Sequence, residues 1–136
     1  MAVDRPGRLR EIPLFAGLSD DALERIASIT TEIEVEAGMV LARAEDPGSG
    51  MFVVEEGTVV VELRSRTVEL GPGEFFGELA LLVPEATRVA RVRAGSRVRC
   101  LAVSRADFGT LLEEEPRIAV AMLPVLVRRL VDQLKT

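Results

Sequence analysis

Apolar residues fall at helical spacing near both ends of the chain and alternate with polar ones through the middle, so the pattern predicts helix, then strands, then helix. Leu23, Ile26, Ala27 and Ile29 form one stripe, which predicts a helix over about 18–30. Ser19 is placed to cap it, and Asp20 and Asp21 in its first turn face the positive end of the helix dipole, so capping accounts for these acids without a site. From Glu32 to Val103 short Val-rich runs are separated by turn residues. Ile33 and Val35, Val40-Leu41, Met51–Val54, Thr58–Leu63, Val68–Leu70, Arg88–Ala94 and Val98–Val103 are the expected strands. Ala37-Gly38, Asp46-Pro47-Gly48 and Gly71-Pro72-Gly73 mark turns, and Gly57 between two Val-rich runs reads as a tight hairpin. Short strands at regular spacing predict a β-sandwich or jelly roll. Ser104 then caps a helix through Asp107, Phe108 and Leu111-Leu112, which closes on the solvated acids Glu113–Glu115, and Pro116 opens the next. Ile118, Met122, Val125, Leu126 and Leu130 keep helical spacing, while Pro124 predicts a kink or a break. With no repeat, linker or low-complexity stretch, residues 1–136 read as one domain: a helix about 18–30, a β-roll about 32–103 and C-terminal helices about 104–136.

Composition narrows the function. At 136 residues, 48% hydrophobic and 29% charged, the chain is of globular type. A net charge of −5 leaves no surplus of Lys and Arg to track a phosphate backbone, and the arginines of Arg8–Arg10 and Arg91–Arg99 alternate with other residues as solvated positions do. Direct nucleic-acid binding is therefore not expected. The chain has no histidine, which removes the usual general base, the Ser-His-Asp triad and nearly every transition-metal site. No Asp/Glu pair has a setting that suggests acid-base chemistry, so no enzyme, cofactor or metal is expected. The single cysteine, Cys100, excludes an internal disulfide and lies in an alternating run as a small buried hydrophobe. The start MAVDRPGRLREIP lacks a hydrophobic signal core, and the longest apolar run, Ile118–Val127, is too short to span a bilayer and contains Pro124. The expected location is cytoplasmic, without membrane insertion.

The functional expectation rests on Leu70–Ala94, LGPGEFFGELALLVPEATRVARVRA. Gly71, Gly73 and Gly77 let the backbone turn sharply and approach a ligand closely. The apolar run after Glu78 can form a helical turn whose free amides, at Leu79 and Ala80, would bind an anion. Arg88 follows in a strand-like run; pointing inward, its guanidinium would need an anion, and a phosphate satisfies it with two parallel charge-assisted hydrogen bonds. Glu78 supplies an acceptor-only carboxylate suited to a sugar hydroxyl.

These residues resemble the phosphate-binding cassette of the cyclic-nucleotide-binding family, in which Phe-Gly-Glu-x-Ala-Leu is followed by Arg-(Ser/Thr/Ala)-Ala; here Phe76-Gly77-Glu78-Leu79-Ala80-Leu81 precedes Arg88-Val89-Ala90. The approach Leu70-Gly71-Pro72-Gly73-Glu74-Phe75, the Asp46-Pro47-Gly48 turn before Phe52-Val53-Val54, Gly57, and Ser104-Arg105 with Phe108 and Leu111-Leu112 are similar to the family pattern as well, so the resemblance spans about Leu14 to Leu130. It implies a mainly β fold with flanking helices (α+β), a β jelly roll or double-stranded β-helix with an N-terminal helix and C-terminal lid helices. It also implies the roles. Arg88 binds the cyclic phosphate, Glu78 accepts from the ribose 2′-hydroxyl, and the amides around Leu79, Ala80, Val89 and Ala90, reached through Phe76 and Gly77, complete the cradle. The final helix would move over the base as a lid. Position 89 departs from the pattern: Val89 has no hydroxyl, whereas a Thr there favours the guanine nucleotide, so cyclic AMP is expected ahead of cyclic GMP, with binding weakened by roughly 1.5–3 kcal/mol, one charge-assisted hydrogen bond. Glu85 adds negative charge near the phosphate position, and Ala44-Glu45 replaces the family's common Glu-Gly pair.

Val89 and Glu85 support an alternative, a protein-interaction module that kept the roll and lost the ligand. A further alternative is the effector half of a transcription regulator, whose helix-turn-helix has no room after Leu130 in a sequence that stops at Thr136. Bacterial regulators of the family pair through the final helix; Leu123, Val127, Leu130 and Leu134 provide such a seam for a homodimer, or cover the roll itself, and an unknown effector protein is the other expected partner.

Overall fold

The computed structural model describes residues 5–42, 50–63, 66–77 and 91–134. At the N-terminus, α1 (Arg5–Arg10) leads through a 3₁₀ turn (Pro13–Phe15) into α2 (Asp20–Ile29). Ser19 caps α2 as its position predicts, its hydroxyl accepting from the Ala22 amide at 3.2 Å. Among the described residues there are eight strands: β1 (Thr30–Val35), β2 (Val40–Ala42), β3 (Gly50–Glu56), β4 (Val59–Glu62), β5 (Thr67–Leu70), β6 (Phe75–Phe76), β7 (Arg91–Ala94) and β8 (Val98–Ser104). Ser104 accepts from the Asp107 amide at 3.2 Å and opens α3 (Arg105–Glu114), and Pro116 begins α4 (Pro116–Leu134).

All strand pairs are antiparallel, in two four-stranded sheets ordered β1-β8-β3-β6 and β2-β7-β4-β5. Strands that alternate between two sheets in this way make a jelly roll, so the mainly β fold with flanking helices is the one the sequence led us to expect. Gly57 is a correction. The runs on either side of it do not pair as a hairpin: β3 bonds to β8 and β6, and β4 to β5 and β7, so Gly57 carries the chain from one sheet to the other. The reason is burial. Val54 and Val59 are both fully buried in one cluster between the sheets, and a flat hairpin would not bring them face to face. The corner needs a glycine, because φ is +84° and a Cβ would lie 2.1 Å from the Arg97 carbonyl oxygen.

The first sheet is covered on both faces. Inside the roll, Val54, Phe76, Val98 and Cys100 meet Val59, Leu70, Val92 and Ala94 of the second sheet. On the opposite face, Met51, Val53, Phe75, Leu101 and Val103 pack against Leu23 and Ile26 of α2, Phe108 and Leu111 of α3, and Ile118 and Met122 of α4. Leu9, Ile12, Leu14 and Phe15, whose segment is too short to show a helical period, join this second core. Arg117 donates to the Gly17 carbonyl at 2.8 Å, and Arg25 pairs with Glu114, so the two helical ends also hold each other.

Two further expectations are corrected. Of the kink or break expected at Pro124, the break does not occur: the last helix runs through it. Pro124 and Val120 are both exposed, so the carbonyl that loses its amide partner faces water and the usual penalty for an internal proline is relieved. Arg8 and Arg99 are only partly solvated. With Glu32 and Glu55 they form an ion network where α1 meets β1, β3 and β8, and the Glu55 side chain is only 5% exposed. Among the described residues no helix is long and apolar enough to cross a membrane.

Candidate ligand site at the junction of the sheets

The approach to the expected cassette is built from a turn and a short edge strand. Gly71-Pro72-Gly73-Glu74 closes on itself: the Glu74 carboxylate accepts from the Gly71 amide at 2.7 Å, and the Glu74 amide donates to the Gly71 carbonyl at 3.1 Å. The turn is fixed to β3 by Gly73 N to Val54 O and Val54 N to Glu74 O, each 2.8 Å. β6 then pairs with β3 in the register Phe52↔Phe76 and Val53↔Phe75.

Alternation sends the adjacent phenylalanines to opposite cores. Phe75 enters the helix-side core, while Phe76 points into the roll and stacks on Phe52, with ring centroids 4.9 Å apart and planes at 13°. Val35, Leu41, Phe52, Val61 and Val68 pack against the interior cluster and stay partly exposed, leaving apolar surface inside the roll. Gly77 ends the strand with φ +89°, a conformation natural to glycine.

Of the residues expected to form the site, the structure places Phe76 and Gly77. Glu78, Leu79, Ala80, Arg88, Val89 and Ala90 lie outside the described residues, as do Glu85 and the Asp46-Pro47-Gly48 turn. The ends of the intervening segment are nonetheless informative. Gly77 leaves the first sheet and Arg91 enters the second, so residues 78–90 connect the two sheets. In β7, Val92 and Ala94 are buried in the roll, whereas Arg91 and Arg93 face outward and both reach Glu62, at 3.3 and 3.2 Å.

Sequence reasoning missed Arg129. From α4 it donates to the Phe75 carbonyl at 2.6 Å, and its guanidinium carbon sits 4.6 Å from the centre of the Phe75 ring. The available signal was a charged residue in line with the apolar stripe of Ile118, Met122 and Val125. The ion network opens on a cleft of about 500 Å³ lined by Arg8, Glu32, Glu34 and Arg99. These residues stand on α1, β1 and β8, apart from the Gly77–Arg91 junction, and the cleft includes no residue of the expected site. Cys100 behaves as a core residue: it is fully buried, and burial first, with the Glu55 charge second, pushes its thiol up to about 12. Among the described residues no group of His, Cys, Asp and Glu could hold a metal ion.

Comparison with known proteins agrees with this geometry. The chain is 43% identical over 108 residues to a cyclic nucleotide-gated potassium channel of Mesorhizobium japonicum, a match covering 79% of this chain and 30% of that protein. It is 37% identical over 112 residues to a putative potassium channel protein of Rhodopseudomonas palustris, covering 79% and 27% respectively. The chain thus spans roughly a third or less of the length of these relatives. Among solved structures, the Thermus thermophilus catabolite activator protein superposes with a TM-score of 0.77 at 30% identity, covering 89% of this chain and 59% of that one. The N-terminal domain of a transcriptional regulator from Streptomyces coelicolor gives 0.66 at 33% identity, covering 93% and 94%. A family model, the cyclic nucleotide-binding domain, matches residues 32–115, more than half of the chain, from within β1 to the end of α3. With the interleaved sheets, the Phe76-Gly77 approach and this match together, the chain belongs to the cyclic nucleotide-binding domain family.

Proposed function

We propose that residues 1–136 act as one sensor domain that binds a cyclic nucleotide at residues 76–90 and reports its occupancy through the position of α4, without catalysing a reaction. In this reading Arg88 binds the cyclic phosphate, Glu78 the ribose 2′-hydroxyl, and the amides of Leu79, Ala80, Val89 and Ala90 the remaining phosphate oxygens. The observation that carries it is the crossing between sheets. The segment with the family's phosphate-binding signature begins at Gly77, beside the Phe52–Phe76 stack, and ends where β7 enters the roll. In sequence, Arg88 shares the parity of Val92 and Ala94, which face the interior. The partly exposed Leu41, Phe52, Val61 and Val68 offer apolar surface to the sugar and base. Val89 provides no hydroxyl to a guanine base, which favours cyclic AMP over cyclic GMP.

Calorimetric titration of the full chain with both nucleotides, for the natural protein and Arg88→Ala, tests this. Saturable binding, tighter for cyclic AMP and abolished by the substitution, is the expected result. Binding of neither nucleotide would favour an interaction module that has lost its ligand.

The exposed face of α4 supports a second element. Val120, Leu123, Val127, Leu130 and Leu134 are all more than half exposed and follow the alternating three- and four-residue spacing of a coiled-coil seam. Valine at the first position of the two complete heptads (Val120, Val127) and leucine at the fourth (Leu123, Leu130) suits a two-stranded parallel pair, so the occupant we infer is α4 of a second copy. Sedimentation equilibrium should show a dimer that Leu130→Glu converts to monomer without loss of thermal stability. A monomeric natural protein would refute the pairing.

A further inference from the structure

Among the described residues the Phe75 carbonyl has no strand to bond to. β6 lies at the end of its sheet, and the bond from Val54 to Glu74, with the Phe52↔Phe76 register, turns the carbonyl of the intervening Phe75 away from β3. Phe75 is 3% exposed, so an unmet carbonyl there would be costly, and α4 supplies the donor: Arg129 bonds to it at 2.6 Å and lies over the same residue's ring. Arg129 stands where the buried stripe of α4 comes to an end. Ile118 and Met122 are in the core and Val125 and Leu126 pack against it, whereas beyond Arg129 the side chains of Leu130, Val131 and Leu134 are exposed. The C-terminal part of α4 therefore has a polar anchor in place of an apolar one, and the anchor point is two residues before Gly77.

We propose that Arg129 is a positioning residue that latches the C-terminal half of α4 to β6 and so couples the helix to the segment beginning at Gly77. The coupling to nucleotide rests on the sensor reading above; the latch itself does not. A guanidinium is suited to this role because one planar group both donates to the carbonyl and stacks on the ring, which an ammonium does less well. If nucleotide binding favours the docked helix, then by linkage whatever loosens the helix weakens the nucleotide.

The test is hydrogen exchange on the full chain for the natural protein, Arg129→Ala, Arg129→Lys and Arg128→Ala, paired with cyclic AMP titration. Arg129→Ala should speed exchange of amides 126–134 by about tenfold, the loss of one partly screened charge-assisted hydrogen bond, while the β8 amides of Leu101 and Val103 stay protected. Arg129→Lys should recover part of the protection, and Arg128→Ala, which removes the same charge from the exposed side of the helix, should change nothing. Unchanged exchange in α4, or an equal rise throughout the roll, overturns the latch. Cyclic AMP affinity should fall about three- to tenfold in Arg129→Ala, and an unchanged affinity in a variant whose α4 exchange has risen overturns the coupling. If the natural protein binds no nucleotide, the sensor reading and the coupling fall together, while the exchange result still decides whether Arg129 holds the helix.

Discussion

Replacing Arg99 with methionine strands a carboxylate that the fold has taken out of water. The Arg99 Nε lies 3.0 Å from Glu32 and 3.4 Å from Glu55, and one terminal nitrogen lies 3.0 Å from Glu56. These contacts differ in worth. Glu56 is 65% exposed and its pair is largely screened, contributing at most about 1 kcal/mol. Glu55 is 5% exposed, and without Arg99 its nearest cation is Arg8, 3.8 Å away and already bonded to Glu32 at 3.2 Å. Removing one partner of a buried pair costs about 3–5 kcal/mol; with Arg8 retained and Arg99 itself partly solvated, we expect Arg99→Met to cost about 2–4 kcal/mol. Urea denaturation of four proteins, the natural chain, Arg99→Met, Glu55→Gln and the double variant, measures the coupling directly. Glu55→Gln should destabilise the natural protein and stabilise Arg99→Met by about 1 kcal/mol or more, since it then removes an unpaired buried charge. The same change at Glu56 in the Arg99→Met background should restore nothing measurable. If Glu55→Gln costs the same in both backgrounds, the network is not held by this pair and the argument from burial fails.

Gly57→Ala should destabilise the chain by about 2–5 kcal/mol in the same assay, combining about 1–2 for a left-handed φ with about 1–3 for forcing a Cβ against the Arg97 carbonyl. A loss below about 1 kcal/mol would mean that the corner between the sheets shifts freely. Cys100 should make stability fall at alkaline pH. The folded thiol holds its proton up to about 12, whereas the unfolded chain releases it above the ordinary value of 9.0, so unfolding gains up to about 1.4 kcal/mol per pH unit within that window. Stability measured from about pH 8 to about pH 11 (from about one unit below the unfolded value to about two above it) should therefore fall more steeply for the natural protein than for Cys100→Ala, and parallel profiles would show that the thiol ionises in place.

What could be read from the sequence was whatever depends on neighbours in the chain. Ser19 and Ser104 cap their helices because a hydroxyl at that position meets an amide three residues on. Cys100 is buried because β8 alternates, and Phe76-Gly77 sits at a strand end because the turn before it closes locally. What failed depended on partners far along the chain. A glycine between two Val-rich runs looks the same whether the strands pair or part, and only the burial of Val54 against Val59 across the two sheets distinguishes a corner from a hairpin. Arg8 and Arg99 read as solvated because alternation with polar neighbours does not reveal that α1 folds over the end of the first sheet. The break expected at Pro124 failed for the opposite reason: the rule against internal proline is local, and exposure of that side of α4 relieves it. The site residues from Glu78 to Ala90 were legible as a motif alone, through the pairing of Gly77-Glu78 with Arg88.

The arrangement of β6 supplies a short route for the proposed transmission of occupancy. A sheet covered on both faces has residues of opposite parity in two different cores, and β6 is reduced to the minimum of one residue in each, Phe75 and Phe76. Phe76 belongs to the interior, stacked on Phe52 where the nucleotide is proposed to lie; Phe75 belongs to the helical side, with its carbonyl and ring on Arg129. On the proposed reading, a displacement of the backbone at Gly77 to admit a phosphate would reach Arg129 one peptide away from the stack, with no long network of side chains to cross. Because among the described residues β6 is bonded on one edge only, by two residues and the Gly73–Val54 turn contacts, it is the strand of the first sheet with the fewest bonds to break. β8, separated from β6 by β3, is bonded along both edges and carries buried residues on both faces, so it would hold the frame still while the edge shifts.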